Sequence, residues 1–307
     1  MSAPIPSAPP GGPAAGEPAA VVSADILIAG TPPAAGGRPS SPSFEPDTGV
    51  LVGAGRVHDT ETPDVETASD GYTERRFGGP AGRWLLEEQT RAVDRLLRRT
   101  GDAALQVLEV GGGHAQVTPL LVERGHAVVV QGSDPICFKR VLPVRRAHPD
   151  RVRGCASDLW ALPFADGSFD LVMAVRLLGH VVRWRELLAE MTRVSRRYVI
   201  VEFARASALL PLPARATDAL FTLKRRVENT TRPFFTYREP RVAAELDRLG
   251  FRTLEVVGQF ALPMVLHRAL KEPRTSAALE RLARGLGFGD RLRSPALVLA
   301  ERRAPES

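Results

Sequence analysis

The chain has 307 residues, 44% of them hydrophobic, and a formal net charge of +6, which is enough chain to bury a sizeable core in one large domain or two small ones. No stretch approaches the roughly 18 apolar residues of a membrane-crossing helix, and the N-terminus lacks the basic-then-apolar order of a secretory signal, so a cytoplasmic protein is the expectation. The two cysteines, Cys137 and Cys155, have no partner at metal-ligand spacing, so neither a metal site nor a disulfide framework is expected, and both read as small buried hydrophobes.

The charge is unevenly spread. Two of the 41 basic and nine of the 35 acidic residues fall in residues 1–70, leaving that segment at −7 and the remainder at +13. Only three basic residues are lysines and the arginines are scattered, which favours a solvated basic surface over a nucleic-acid track. Residues 1–71 hold twelve of the 26 prolines and no sustained apolar period, and are expected to be a disordered Pro/Ala/Gly-rich tail. The short apolar pieces Ala24–Ala29 and Val50–Val52 could dock on the folded part. Residues 72–303 are expected to form the folded domain.

Ala81–Arg99 has helical spacing, with Trp84, Leu85, Val93, Leu96 and Leu97 apolar and Gly101 placed to stop it. Leu105–Val110 then reads as a strand running into Gly111-Gly112-Gly113-His114-Ala115 and a helix over Ala115–Arg124. Glycines at such a turn let the backbone bend tightly and approach a ligand without an intervening side chain. A dinucleotide fingerprint would require glycine where Gln116 stands, and Glu109 beside the turn suits a cationic ligand end better than a pyrophosphate.

The next strand, His126–Gln131, leads to Asp134, an acid placed to accept ribose hydroxyls; its bland alternative is a cap for a helix over Pro135–Ala147. A strand at Arg151–Cys155 leads to Asp158 and Leu159, able to offer a carboxylate and a backbone amide to an adenine ring. Asp166 and Asp170 read as turn and strand-start residues. Asp170–Val175 and Tyr198–Phe203 are strands with a helix over Trp184–Val194 between them. Arg176, directly after the first of these, could meet a ligand carboxylate.

The alternation is interrupted at residues 204–238, which contain the apolar-basic run Leu209–Arg226 and the aromatics Phe234, Phe235 and Tyr237; this is the expected lid or acceptor-recognition insertion. A helix over Glu239–Leu249, a strand over Phe251–Val257, a helix over Thr275–Leu286 and a strand over Ala296–Glu301 complete the chain. The alternation predicts an α/β fold with a mainly parallel sheet that binds its ligand at the carboxyl ends of the strands.

In combination, the glycine turn, the acid after the second strand and the segment from Asp158 through Leu162-Pro163-Phe164 to Asp170 resemble the class I methyltransferases, most closely the type 11 methyltransferase family. The helix end Glu190-Met191-Thr192-Arg193-Val194 is similar to that family as well. The resemblance implies a Rossmann-like doubly wound sheet with a final antiparallel strand, and S-adenosylmethionine as cofactor bound within residues 104–203. It assigns Glu109, Gly111 and Gly113 to the methionine end, Asp134 to the ribose, and Asp158 with Leu159 to the adenine. Two positions depart from the family: Ala115 stands for its third glycine, and Ser195-Arg196-Arg197 replaces its usual Lys-Pro-Gly-Gly turn.

Methyl transfer from a sulfonium needs alignment more than acid–base help. If the acceptor is a hydroxyl, His180 is the first candidate base, with His267 and Tyr237 behind it. The segment after Val175 has no Asn-Pro-Pro-aromatic run, and the apolar content of residues 204–237 and Gln259–Leu270 suits a small-molecule or lipid-like acceptor. The alternatives are a nucleic-acid or protein methyltransferase, for which the +13 charge speaks, and a cofactor-binding protein without catalysis.

Overall fold

In a computed structural model the protein is described over residues 26–28, 70–206, 235–287, 289 and 292–304. The elements are β1 (Ile26–Ile28), α1 (Asp70–Phe77), α2 (Gly79–Leu97), β2 (Gln106–Val110), α3 (Thr118–Glu123), β3 (Ala127–Gly132), α4 (Val141–Ala147), β4 (Val152–Ala156), β5 (Phe169–Ala174), α5 (Trp184–Val194), β6 (Ser195–Phe203), α6 (Glu239–Arg248), β7 (Phe251–Gly258), α7 (Met264–Leu270), α8 (Pro273–Gly285) and β8 (Ala296–Arg302). The sheet has eight strands in the order β1-β4-β3-β2-β5-β6-β8-β7. Pairing is parallel from β1 through β6, and β8 runs antiparallel to both β6 and β7. This is the Rossmann-like sheet with a final antiparallel strand that the sequence implies.

Strands buried on both faces carry near-continuous apolar runs, and alternate residues divide between two cores. One face packs Val107, Val128, Val130, Leu171, Met173 and Ile200 beneath α2, α3 and α4. The other packs Leu108, Val110, Val172, Ala174, Val199 and Val201 beneath α5 and α6. Cys137 and Cys155 are both buried and unbridged.

Several elements differ from the sequence reading. The helix expected from Ala115 starts at Thr118, because residues 111–117 are spent on the turn, with Ala115 held at φ +50° and its amide donating to the Gly112 carbonyl at 2.8 Å. The helix expected over Pro135–Ala147 is split into a tight turn, Pro135–Phe138, and α4. Buried Cys137 and Phe138 hold that turn inward against Gly132 and Gly154, and Pro143 sits in the first turn of α4, where its missing N–H costs nothing. The helices α1 and α7 were not expected.

Within the expected tail, Ile26–Ile28 forms the edge strand β1, in register with Gly154–Ala156. The remainder of residues 1–69 lies outside the described residues, as do residues 207–234 of the expected insertion, including Leu209–Arg226 and Phe234. Among the described residues no helix is long and apolar enough to cross a membrane, and no group of His, Cys, Asp or Glu could hold a metal ion.

Candidate active site

The parallel strands β2, β3, β4 and β5 end along one edge, and the residues the sequence singled out for the cofactor lie on the loops leaving that edge, except Glu109, which is in β2 itself. Gly111 adopts φ +67°, and a side chain on it would press into Leu177; one on Gly113 would lie 2.6 Å from the Cys137 carbonyl. The glycines therefore let the turn settle between the loops that follow β3 and β5.

Glu109 is buried beneath this turn, where the Thr118 hydroxyl donates to its Oε2 at 2.7 Å. Burial pushes its carboxyl up to about 7, with the Thr118 hydrogen bond pulling the other way.

Gln131, fully buried at the end of β3, ties the edge together. Its Oε1 accepts from the Gly111 amide at 3.2 Å and its Nε2 donates to the Ser157 carbonyl at 2.8 Å. The Ser157 amide in turn donates to the Gly132 carbonyl at 3.0 Å.

Asp134 and Asp158 are exposed at the lip, 24 residues apart in sequence but on adjacent loops because β3 and β4 pair in parallel. The Oδ1 of Asp134 accepts from the Ile136 amide at 2.8 Å, and that of Asp158 from the Trp160 amide at 2.9 Å. Asp134 thus caps the turn that follows and Asp158 closes a local side-chain turn, yet each keeps its Oδ2 open among the described residues. Leu159 is fully buried, so only its backbone can face a ligand. Two open carboxylate oxygens beside a side-chain-free turn suit a ligand with a hydroxylated ring and an exocyclic amine, as S-adenosylmethionine has.

A roof that the sequence reading missed covers this edge. Helix α1 reaches three of the loops: Asp70 pairs with Lys139 at 2.5 Å and Arg140 at 2.7 Å, Thr73 Oγ1 lies 3.5 Å from His114 Nδ1, and the Arg176 guanidinium lies 4.3 Å above the Phe77 ring. Burial, and next the positive charges of Arg140, Arg176 and Arg76, hold the His114 imidazole down to about 4, so it is neutral at pH 7. Helix α2 is fastened through buried Gln89, whose Nε2 donates to Glu202 Oε1 at 2.6 Å while its Oε1 accepts from Arg176 Nε at 2.6 Å and from Gln116. Glu202 also accepts from the Arg176 amide at 2.7 Å and from Gln259 Nε2 at 2.8 Å. Arg176 itself sits at φ +62°, a strained conformation for a residue with a side chain. The signals available in sequence were Gln89 on the apolar face of its helix and a carboxylate, Glu202, inside an apolar strand.

His180 ends the short turn Leu178–His180 after β5, half-buried on the same edge as the glycine turn. The Tyr237 hydroxyl donates to the carbonyls of Leu178 at 3.0 Å and Val181 at 3.2 Å, bracketing His180, and burial pushes its phenol far up. Tyr237 is therefore a donor that holds the turn. His267 lies elsewhere, fully buried between Trp84 and Phe260 with its Nε2 3.0 Å from Glu280.

Arg193 bridges Glu190, Asp166 and the carbonyls of Phe164 and Leu162, fastening the loop after β4 to α5. Asp170 accepts from the Gln106 amide at 2.9 Å and from Arg196. Where the family has a glycine turn, α5 passes straight into β6: the Ser195 hydroxyl donates to the Tyr198 carbonyl at 2.8 Å, and Arg302 donates to the Ser195 carbonyl at 2.7 Å.

A family model described as a methyltransferase domain matches residues 108–203. No curated protein sequence matches the chain. Among solved structures, magnesium protoporphyrin IX methyltransferase from Synechocystis PCC 6803 with bound S-adenosylhomocysteine is similar in fold, at 14% identity and TM-score 0.54, covering 78% of this chain and 98% of that one. Its S-adenosylmethionine complex gives 14% identity and TM-score 0.53, covering 81% of this chain and 99% of that one. A Galdieria sulphuraria protein provisionally assigned as a sarcosine dimethylglycine methyltransferase gives 13% identity and TM-score 0.50 over 76% of this chain and 96% of its own. The methyltransferase-domain match over residues 108–203 thus takes in the glycine turn, Asp134 and Asp158, within a fold similar to that of methyltransferases of solved structure.

Proposed function

We propose that the chain is a class I S-adenosylmethionine-dependent methyltransferase acting on a small-molecule or lipid-like acceptor, with the cofactor held by Gly111 and Gly113 at its methionine end, Asp134 at its ribose and Asp158 with the Leu159 backbone at its adenine. The observation that carries the acceptor class is a cavity of about 530 Å³ between α1, α2 and the turn after β2, whose lining sets Phe77, Leu86 and Ala115 beside the polar Glu87, Arg91 and Gln116. Its size is that of a small-molecule site, and its lining is mixed but largely apolar. A relative in fold, by its name, methylates a porphyrin, a small molecule of this kind.

When bound, S-adenosylmethionine would supply a methyl group already activated on a sulfonium. The chain's own contribution is alignment and exclusion of water. The buried Gln89, Glu202 and Arg176 hold the roof down, and neutral His114 with Phe77 keeps its underside dry. For a hydroxyl acceptor, His180 takes the proton, positioned by Tyr237 through the carbonyls on either side of it. For an amine or a carboxylate acceptor no base is needed.

The test is a calorimetric titration with S-adenosylhomocysteine, with NAD as control, followed by a methyl-transfer screen over apolar hydroxyl, amine and carboxylate acceptors. Cofactor binding with turnover on an apolar acceptor is expected. Binding with turnover only on nucleic acid or protein would overturn the acceptor class.

A further inference from the structure

We infer that the outer face of α8, with the end of α7, is a contact surface for anionic membrane lipid. Four large apolar side chains are exposed among the described residues, and three of them, Leu270 at 42%, Leu282 at 60% and Leu286 at 71%, belong to α7 and α8 and the residue just beyond. Leu282 and Leu286 are four apart and so share one flank of the helix, seven residues beyond Thr275 and Leu279 on that same flank. Arg274 and Arg281, seven apart, share the adjoining flank, with Arg284 one turn beyond Arg281 and Lys271 just before the helix.

Many exposed arginines of the domain are held in ion pairs instead. Arg91, Arg95, Arg98, Arg196, Arg197, Arg252 and Arg303 each pair with a carboxylate. Lys271, Arg274, Arg281 and Arg284 are exposed and pair with none among the described residues.

The inner face of α8 is fixed. Ser276, Glu280 and Ala283 are buried, and Glu280 accepts from the amides of Ala261 at 2.9 Å and Leu262 at 3.0 Å as well as meeting His267. A rigid helix that shows leucines on one flank and unpaired cations on the next is the pattern of an interfacial helix, which sinks its apolar flank to the acyl boundary while its cations meet lipid phosphates. A protein partner would have to bring a carboxylate to each of these cations. A lipid surface supplies phosphates in rows, and the +13 charge of residues 71–307 draws the whole domain towards it.

Lipid contact through this face holds whatever the acceptor. The test is co-sedimentation of the full chain with vesicles of phosphatidylglycerol mixed with phosphatidylcholine, and with vesicles of phosphatidylcholine alone. The wild-type chain should sediment with the first, weakly with the second, and less as salt is raised. The double variants Leu282→Ser/Leu286→Ser and Arg281→Glu/Arg284→Glu should each lower partitioning at least about tenfold. Their melting and S-adenosylhomocysteine affinity should stay at wild-type values, since all four side chains point away from the core. Failure of the wild-type chain to sediment with phosphatidylglycerol overturns the inference. So does unchanged sedimentation of the leucine variant, or a wild-type dimer that this variant converts to monomer, which would make a second copy the occupant.

Discussion

Gln131 and Gly111 are joined by a hydrogen bond of 3.2 Å from the Gly111 amide to the Gln131 side chain, one residue past the point where β2 and β3 last pair in register. Because the same side chain also donates to Ser157 at 2.8 Å, its length sets the distance between the glycine turn and the loop that carries Asp158. Replacing it with an apolar side chain of similar size leaves a buried amide and a buried carbonyl unpaired. Gln131→Leu should lower unfolding free energy by about 2–4 kcal/mol in denaturant titration and weaken S-adenosylhomocysteine binding. Retained affinity in a destabilised variant would show that the loops keep their places without it.

The carboxyl of Glu109, pushed up by burial to about 7, makes the free protein's stability depend on pH. The native state keeps a proton that the unfolded chain releases at about 4.5, so the stability this group contributes is full below that value and is lost as pH rises through about 7. The loss is of the order of 3 kcal/mol above pH 7. Glu109→Gln should flatten the unfolding free energy between pH 5 and 8 to that extent, measured by urea unfolding at each pH. A cationic ligand above the turn favours the carboxylate, so binding near pH 6.5 should release a proton, read from calorimetry in buffers of different ionisation enthalpy.

Asp134 carries two roles that one pair of variants separates. Its Oδ1 caps the turn that follows, while its Oδ2 is open. Asp134→Asn keeps an oxygen for the Ile136 amide and should leave stability nearly unchanged, but should weaken S-adenosylhomocysteine binding at least about tenfold, having lost the charge that a pair of ribose hydroxyls prefers. Asp134→Ala should lose that affinity and a further ~1 kcal/mol of stability. Full affinity in the asparagine variant would reduce Asp134 to a cap.

Tyr237 should affect turnover without affecting cofactor binding. Tyr237→Phe removes both hydrogen bonds that bracket His180, at a cost of about 1–2 kcal/mol in stability. With a hydroxyl acceptor, kcat should fall while S-adenosylhomocysteine affinity holds. With an amine acceptor kcat should hardly move, an outcome that a purely structural role would not give.

The parts of this fold that were legible in the sequence are those with a local signature. Helix α5 was expected over the residues it occupies, Trp184–Val194, because its apolar positions repeat at helical spacing up to Arg193, whose side chain then fastens the neighbouring loop. The positions of Asp134 and Asp158 at strand ends were legible because each lies two residues past an apolar strand. The roof was hidden for a different reason: α1 has little apolar content of its own, and it is held by Asp70, Thr73 and Phe77 acting on residues roughly forty to a hundred positions away. The Gln89–Glu202 bond spans 113 residues and has no spacing to betray it. The split of the expected helix after Asp134 was equally invisible, since it comes from where Cys137 and Phe138 must be buried.

The two roof helices are held with unequal strength. Fastening α2 are buried bonds among Gln89, Glu202 and Arg176, costly to break one at a time. Holding α1 at its far end are the ion pairs of Asp70, two-thirds exposed, which water and salt weaken. The two meet at Gly78 and Gly79, the latter at φ +69°. Opening the cleft by turning α1 on this glycine pair would leave the buried bonds of α2 intact. Because the Asp70 pairs that hold the far end of α1 are exposed, cofactor exchange should quicken with ionic strength while the melting temperature barely moves, measured by stopped-flow release at rising salt.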